Sequence, residues 1–190
     1  MERYNLDKFI NATLFFVKEK VKKLGITKLN KLLYYSDFEH YRLHGRSIIG
    51  DSYIRMPQGP VPEKSYNIFK ENFDCNENDS LKEAICLRHK AFPKGSMKII
   101  AAMPTRKPDL SFFSKSELTV MRRIAYIWKD ATAMMASDQS HLEKPYQMVS
   151  KNGDAIDYKS VLLEEKPDSI PIEYAEYQEK ENLLLRKSFI

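Results

Sequence analysis

Residues 27–62, TKLNKLLYYSDFEHYRLHGRSIIGDSYIRMPQGPVP, decide the fold. The first part of this stretch has leucines at helical spacing along one face. The opposite face is aromatic, with Tyr34, Phe38 and Tyr41. A helix that is apolar on two sides packs between other elements rather than on a surface. We therefore predict a central buried helix that has Thr27 as its N-cap and Gly45 as its C-terminal stop.

Two further elements follow this helix in the same stretch. Residues 47–56 form two short β-prone runs around Gly50 and Asp51, a pattern that predicts a β-hairpin. Residues 57–62, which we call the elbow, have three prolines and one glycine. Proline fixes the backbone and removes an amide donor, so the elbow is expected to be rigid. Its last residue, Pro62, is suited to the first turn of a following helix.

The rest of the sequence predicts mostly helices. A first amphipathic helix is expected from an N-cap at Asn5 to Leu24, ended by Gly25. Ser114 and Glu117 have the spacing of a capping box and predict the start of another helix. Further helices are expected at residues 63–73, 131–141 and 171–185, and Pro145-Tyr146 begins a turn or helix. Three segments stay open: 83–89 and 97–103 are strands or irregular, and 156–163 is a strand or a helix.

These elements define the fold class as mainly α (α+β): a helical domain around a central buried helix, with a small β-hairpin or a short antiparallel sheet. The 190 residues, 43% of them hydrophobic, suffice for one core. No apolar run is long enough to span a membrane, and the acidic N-terminus does not resemble a secretory signal. Two cysteines do not make a disulfide framework. We therefore expect a cytoplasmic protein, and the net charge of +5 favours nucleic-acid binding only slightly.

Possible metal ligands are present but incomplete. His40 and His44 have the helical spacing of two zinc ligands, but the general base of a His-Glu-x-x-His motif is missing. The second group is formed by Cys75, Cys86 and His89, and it lacks the fourth ligand of a structural zinc site. We expect no metal and no cofactor.

The sequence does not indicate a catalytic nucleophile either. Ser140 and His141 lie close to carboxylates, but there is no Gly-x-Ser-x-Gly turn, and triad partners usually come from distant segments. A local structural role for this pair is the favoured interpretation, and we expect no enzymatic activity. The eleven tyrosines fit either a protein-binding face or an ordinary core, and the sequence does not decide between them.

Four short motifs together resemble the Panacea domain of SocA-like antitoxins. They are Thr27-Lys-Leu-Asn-Lys-Leu-Leu-Tyr-Tyr35, Gly45-Arg46, Gly59-Pro60-Val61-Pro62, and Ser140-His141 shortly before Pro145-Tyr146. The family pattern runs Lys-Leu-x-Lys-Leu-Leu-Tyr-Tyr, a short hairpin, a Tyr-Gly-Pro-Val turn, and a late Thr-His ahead of Pro-Trp. The chain departs from it where Gln58 stands for an aromatic residue, Ser140 for threonine and Tyr146 for tryptophan.

The resemblance implies one mainly helical domain over residues 1–190. Its family-like core is expected at 5–150 with a variable insertion near 74–110, and a C-terminal helical extension at 155–190. It implies a non-enzymatic member of a toxin–antitoxin system that binds and neutralises a cognate toxin encoded nearby. Some relatives are adaptors that deliver the toxin to a protease complex. The alternative is a DNA-binding transcriptional regulator or a phage-associated regulatory protein. The candidate partner-binding or motif residues are Lys31, Tyr34, Tyr35, Gly59, Pro60, Val61 and His141.

Overall fold

The computed structural model describes residues 4–71, 85–91, 97–104, 106–164 and 166–187. Its helices are α1 (Leu6–Lys18), α2 (Ile26–His44), α3 (Glu63–Glu71), α4 (Lys115–Ile127), α5 (Ala133–His141), α6 (Lys144–Gln147) and α7 (Ile172–Lys187). Its strands are β1 (Tyr53–Ile54), β2 (Val61–Pro62), β3 (Ile85–Ala91), β4 (Met97–Pro104) and β5 (Ala155–Ile156). Two 3₁₀ segments lie at Leu110–Phe112 and Tyr158–Glu164. In the part of the chain described, no helix is both long and apolar enough to cross a membrane.

Helix α2 is the central buried helix that its two apolar faces predict. It packs against α4, α5 and the second 3₁₀ segment, and Leu32 and Leu33 are fully buried between them. Gly45 ends the helix at φ +70°, and its amide donates to the Tyr41 carbonyl. The predicted fold class, mainly helical with a small antiparallel sheet, is confirmed.

The predicted N-cap of α2 is wrong by two residues. The helix begins at Ile26 with Gly25 as its N-cap, because the amide of Leu29 already donates to the Gly25 carbonyl. Thr27 therefore lies inside the first turn.

Helix α1 has the predicted N-cap, because the Asn5 side chain accepts from the amide of Lys8. The predicted end at Gly25 is wrong, since α1 ends at Lys18. Residues 19–25 instead turn against the segment after α4, with the buried ammonium of Lys28 donating to the carbonyls of Lys22 and Ala131. The apolar residues of this stretch remain buried although they are not helical.

The hairpin predicted at residues 47–56 is also wrong. Strand β1 pairs antiparallel with β2, which is formed by the last two residues of the elbow. On its other side β1 pairs antiparallel with β5, so the three-stranded sheet has the order β2-β1-β5. The amides of Ile48 and Ile49 do not join a strand, because both donate to the buried Asp37 carboxylate at 2.9 and 2.8 Å. Pro62 closes β2 immediately before α3 rather than lying in the first turn of that helix.

The remaining predictions are largely confirmed. The Ser114–Glu117 capping box is present in both directions, and α5, α6 and α7 lie where helices are expected. The two open segments around residues 85 and 100 are antiparallel strands, β3 and β4. Residues 156–163 contain both the end of β5 and a 3₁₀ helix. The helix predicted at residues 63–73 is α3, and its last two predicted residues lie outside the described residues.

Asp37 lies at the centre of the aromatic core. Besides the two amides, its carboxylate accepts hydrogen bonds at 3.0 Å from the hydroxyls of Tyr53 and Tyr158. The ring of Phe38 stacks on that of Tyr158, with centroids 4.6 Å apart, and meets that of Tyr53 edge-on at 5.4 Å. Burial raises the pKa of Asp37 to about 7, while the four hydrogen bonds favour its ionised form. One carboxylate therefore joins α2 to the sheet and to the second 3₁₀ segment.

Helix α1 contacts both ends of the segment that carries β3 and β4. Before that segment, the ring of Phe69 in α3 meets the ring of Phe9 at 5.1 Å. After it, the side-chain oxygen of Asn11 accepts from the guanidinium of Arg106 and the amide of Asp109. The segment therefore leaves and rejoins the domain beside the same two turns of α1.

Candidate functional site

Three segments that are far apart in the sequence meet at the elbow. They are α2 through Lys31, the elbow through Gly59 and Pro60, and α5 through Ser137 and Ser140. We call these five residues the elbow cluster. It joins three of the four motifs that the sequence analysis singles out.

Lys31 connects α2 to the elbow. Its side chain is 1% exposed, and its ammonium donates to the Pro60 carbonyl at 2.8 Å. Burial lowers its pKa to about 7, because the surroundings disfavour the charged form. A lysine is long enough to reach from the helix axis to the elbow, and proline leaves its own carbonyl free to accept.

The serines of α5 fix the other side of the elbow. Ser137 donates to the Gln58 carbonyl at 2.5 Å, and Ser140 donates to the carbonyl of Ser137 at 2.6 Å. Ser140 is fully buried. Its hydroxyl therefore has a structural role, as the sequence favours, and is not presented to a substrate.

Gly59 is required at its position for two reasons. Its φ of +92° lies in the region that L-residues with a side chain rarely adopt. A Cβ there would lie 2.3 Å from the Ser140 hydroxyl oxygen and 2.8 Å from Cε of Lys31. The elbow can approach α2 and α5 this closely only because residue 59 has no side chain.

Replacing Lys31 with methionine is expected to change how stability depends on pH. The pKa is about 7 in the folded chain and 10.5 ordinarily, so between these values the unfolded chain binds more protons and stability rises with pH. One proton corresponds to about 1.4 kcal/mol per pH unit. Urea unfolding between about pH 7.5 and 9.5 should show this rise in the wild type and not in Lys31→Met.

The control for this measurement is Lys151→Met, which removes a lysine that is exposed. Equal pH slopes for the wild type and Lys31→Met would contradict the assignment of the rise to Lys31.

The two tyrosines of the leading motif lie inside the protein. Tyr35 is 6% exposed, donates to the Ala136 carbonyl at 2.7 Å and stacks on Trp128 with ring centroids 4.8 Å apart. Tyr34 is fully buried, its ring packs against those of Phe38 and Tyr53, and its hydroxyl has no hydrogen-bond partner among the described residues. These rings position α5 and β1 on α2. They can affect a partner only through that positioning.

The elbow presents a different part of itself to solvent. Gly59, Pro60 and Val61 are buried, whereas Pro57 and Gln58 are exposed at the tip. Of these two exposed positions, Gln58 is the one at which the chain departs from the family pattern.

A cleft opens beside the elbow, with a volume of about 570 Å³. We call it the Arg55 cleft; its lining is Arg55, His141, Tyr146, Gln147, Val149 and Ser150. The Arg55 guanidinium lies 3.8 Å above the Tyr146 ring and donates to the Tyr146 carbonyl at 2.8 Å. The Tyr146 hydroxyl donates at 2.9 Å to the carbonyl of Met56, just before the elbow. Tyr146 thus connects the cleft to the chain immediately before the elbow.

His141 lies in this cleft, with its ring 4.6 Å from the Tyr146 ring. Its Nε2 and the Nε of Arg55 are buried without a hydrogen-bond partner in the described part of the chain. Arg55 was not a candidate from the sequence. Its position two residues before the elbow is the only signal there, and the contact with Tyr146 spans 91 residues.

The metal-ligand candidates have other roles. The ring nitrogens of His40 lie 2.7 Å from the Arg46 carbonyl and 3.1 Å from the Ser116 hydroxyl, so neither is available to a metal. Burial lowers the pKa of His40 to about 4. Cys86 and His89 lie in β3, and Cys75 lies outside the described residues. Among the residues described, no three His, Cys, Asp or Glu side chains are grouped to hold a metal.

Comparison with known proteins yields one match. The family model for the SocA-like antitoxin, Panacea domain, matches residues 29–147, which is more than half of the chain. No curated protein and no solved structure matches the chain. The matched range begins in α2 and ends in α6, so it contains the elbow cluster and four of the six residues that line the Arg55 cleft.

Proposed function

Since the chain belongs to the family of SocA-like antitoxins with a Panacea domain, we propose that it binds a cognate toxin and neutralises it by direct protein–protein contact. The observation that carries the proposal is the meeting of the family motifs at the elbow cluster. Lys31, Gly59 and Ser140 are distant in sequence and build one rigid feature whose exposed tip is a ready contact surface.

The surface next to this feature is suited to a protein partner. Apolar side chains are unusually exposed along α5 and on either side of α6: Met134 (71%), Met135 (57%), Leu142 (68%) and Met148 (55%). Exposed methionine and leucine side chains adapt to a partner and are typical of protein-binding surfaces. We propose that this face and the tip of the elbow together form the toxin-binding surface.

Neutralisation in this proposal needs no reaction catalysed by the chain. The hydroxyl of Ser140 donates a hydrogen bond inside the elbow cluster. The ring nitrogens of His40 hydrogen-bond to the Arg46 carbonyl and the Ser116 hydroxyl. We propose that the protein acts in the cytoplasm by occupancy alone, on a toxin encoded nearby.

A growth assay tests the proposal. The product of the neighbouring open reading frame should stop growth of a bacterial host, and co-expression of the wild-type chain should restore it. A Met135→Glu/Leu142→Glu double variant should lose at least about 30-fold in toxin affinity and fail to restore growth, because both charges enter an apolar contact. Tyr177→Glu, at a similarly exposed aromatic residue of α7, is the matched control.

Two results would oppose the proposal. If the neighbouring product is harmless, or if growth stays blocked when both proteins are folded, the chain does not neutralise that product. An adaptor mechanism is separated by repeating the assay in hosts that lack single cytoplasmic proteases. Rescue that persists in every such host supports neutralisation by binding, whereas rescue that needs one protease makes the chain an adaptor.

A further inference from the structure

The Arg55 cleft has a positive electrostatic character. Burial lowers the pKa of His141, and the cations of Lys31 and Arg55 lower it further, opposed by Asp138. Arg55 carries the full positive charge there, whereas the Lys31 amine, which is held inside the elbow cluster with a pKa of about 7, is only partly protonated near neutral pH. An anion in the cleft would therefore meet a favourable potential.

The cleft also contains hydrogen-bonding nitrogens that the protein does not use. The Nε of Arg55 and the Nε2 of His141 are buried and have no partner in the described part of the chain. A buried polar nitrogen without a partner destabilises its surroundings by about 1–3 kcal/mol. A ligand that supplies acceptor oxygens would relieve this for both side chains. Arg55 is already oriented for it, because stacking on Tyr146 and the bond to the Tyr146 carbonyl fix its guanidinium.

The rim of the cleft indicates what kind of molecule carries those oxygens. Leu142 and Met148 flank the lining residues in the sequence and are exposed by 68% and 55%. A polar pocket bordered by apolar side chains is typical of the centre of a protein interface, where the rim excludes water from a charged contact. A nucleic-acid phosphate would instead be expected to meet a rim made mainly of lysines and arginines, whereas among the residues next to the lining in the sequence there is one exposed lysine, Lys151, which follows Ser150.

We propose that the Arg55 cleft receives an aspartate or glutamate side chain of the toxin, whose carboxylate pairs with Arg55 and His141. This inference rests on the proposed function and specifies the chemistry of the partner. The volume of about 570 Å³ accommodates an acidic side chain together with the backbone that carries it. The exposed apolar residues of α5 then cover the contact from solvent.

The first test is a charge reversal measured by calorimetry with the purified product of the neighbouring open reading frame. Arg55→Glu should weaken binding at least about 30-fold, since it leaves a buried carboxylate opposite a like charge. Arg122→Glu on α4 makes the same change of charge at an exposed arginine outside the cleft and should keep the wild-type affinity. Replacing the acidic residues of the toxin with arginine, one at a time, should give one variant that restores binding to Arg55→Glu.

A second measurement does not depend on the folding of a variant. In the complex of wild-type proteins, the carboxylate beside His141 should raise the pKa of this histidine, as followed by NMR of the labelled imidazole. An unchanged or lower pKa would refute the assignment. So would wild-type affinity in a folded Arg55→Glu protein.

The two proposals fail in different ways. If the wild-type chain does not bind the toxin, the proposed function is wrong and this inference is wrong with it. If the wild-type chain binds and Arg55→Glu binds equally well, only the inference is wrong. A third outcome is salt-dependent binding of duplex DNA that Arg55→Glu abolishes while toxin binding is kept. That result would show that the cleft binds a nucleic-acid phosphate, and it would overturn the proposal that the cleft receives a carboxylate of the toxin.

Discussion

Asp37→Ala is expected to lower the free energy of unfolding by about 3–5 kcal/mol. The carboxylate is fully buried and accepts from two amides and two tyrosine hydroxyls. Its removal takes this acceptor from all four donors, of which only the Tyr158 hydroxyl has a second one in the described part of the chain, the Asp51 carbonyl at 2.8 Å. Those donors belong to the loop after α2, to β1 and to the second 3₁₀ segment. The loss should therefore loosen the sheet that carries the elbow as well as the core.

Urea unfolding followed by circular dichroism at about pH 8, where the carboxyl is mostly ionised, measures this loss. Tyr53→Phe and Tyr158→Phe are the graded controls. Each removes one hydroxyl and keeps the ring in the aromatic core, so each should lower stability by only about 1 kcal/mol. A loss from Asp37→Ala no larger than that of either control would show that water satisfies the two amides and the Tyr53 hydroxyl.

Gly59→Ala is expected to be the most damaging small substitution at the elbow. The φ of +92° costs a side chain about 1–2 kcal/mol. The crowding of the new Cβ against Ser140 and Lys31 adds about 1–3 kcal/mol, because neither neighbour can withdraw without losing its hydrogen bond. A variant that remains folded should also fail to restore growth against the toxin, because the elbow is displaced.

Gly153→Ala provides a matched control for this variant. Gly153 has the same φ of +92°, but a Cβ there would meet nothing within 4 Å. Its substitution should lower stability only by the backbone term of about 1–2 kcal/mol and leave neutralisation intact. The difference between the two variants measures the packing at the elbow alone. Equal losses of stability would mean that the elbow moves aside at no cost.

The parts of the fold that the sequence predicts are those with a local cause. The two apolar faces of α2 and the capping box of Ser114 and Glu117 are complete within a few turns, and both are confirmed. The helix end predicted at Gly25 and the hairpin predicted around Gly50 failed because the structure there depends on contacts with distant residues. The ammonium of Lys28 donates to one carbonyl in the chain between α1 and α2 and to another in the loop before α5. The carboxylate of Asp37 accepts hydrogen bonds from two amides of the expected hairpin.

The site divides in the same way. Lys31 and the Gly59–Val61 turn can be recognised in the sequence as motif residues. The structure explains both, because the turn lies close against Lys31 of α2. Tyr34 and Tyr35 can be recognised in the sequence in the same way, but both side chains pack in the core and do not form part of the surface. Arg55 could not be found, because its importance depends on Tyr146, which meets it through pairing of distant segments.

The attachment of the β3–β4 segment to α1 has a consequence for variation within the family. Phe9 and Asn11, which contact the two ends of that segment, are only two residues apart in α1. The free energy of closing such a loop changes only slowly with its length. We therefore expect that a relative with a longer, shorter or different segment at this place keeps the surface built on Gly59 and Arg55. We expect the proposed binding surface to be combined in this way with different appendages.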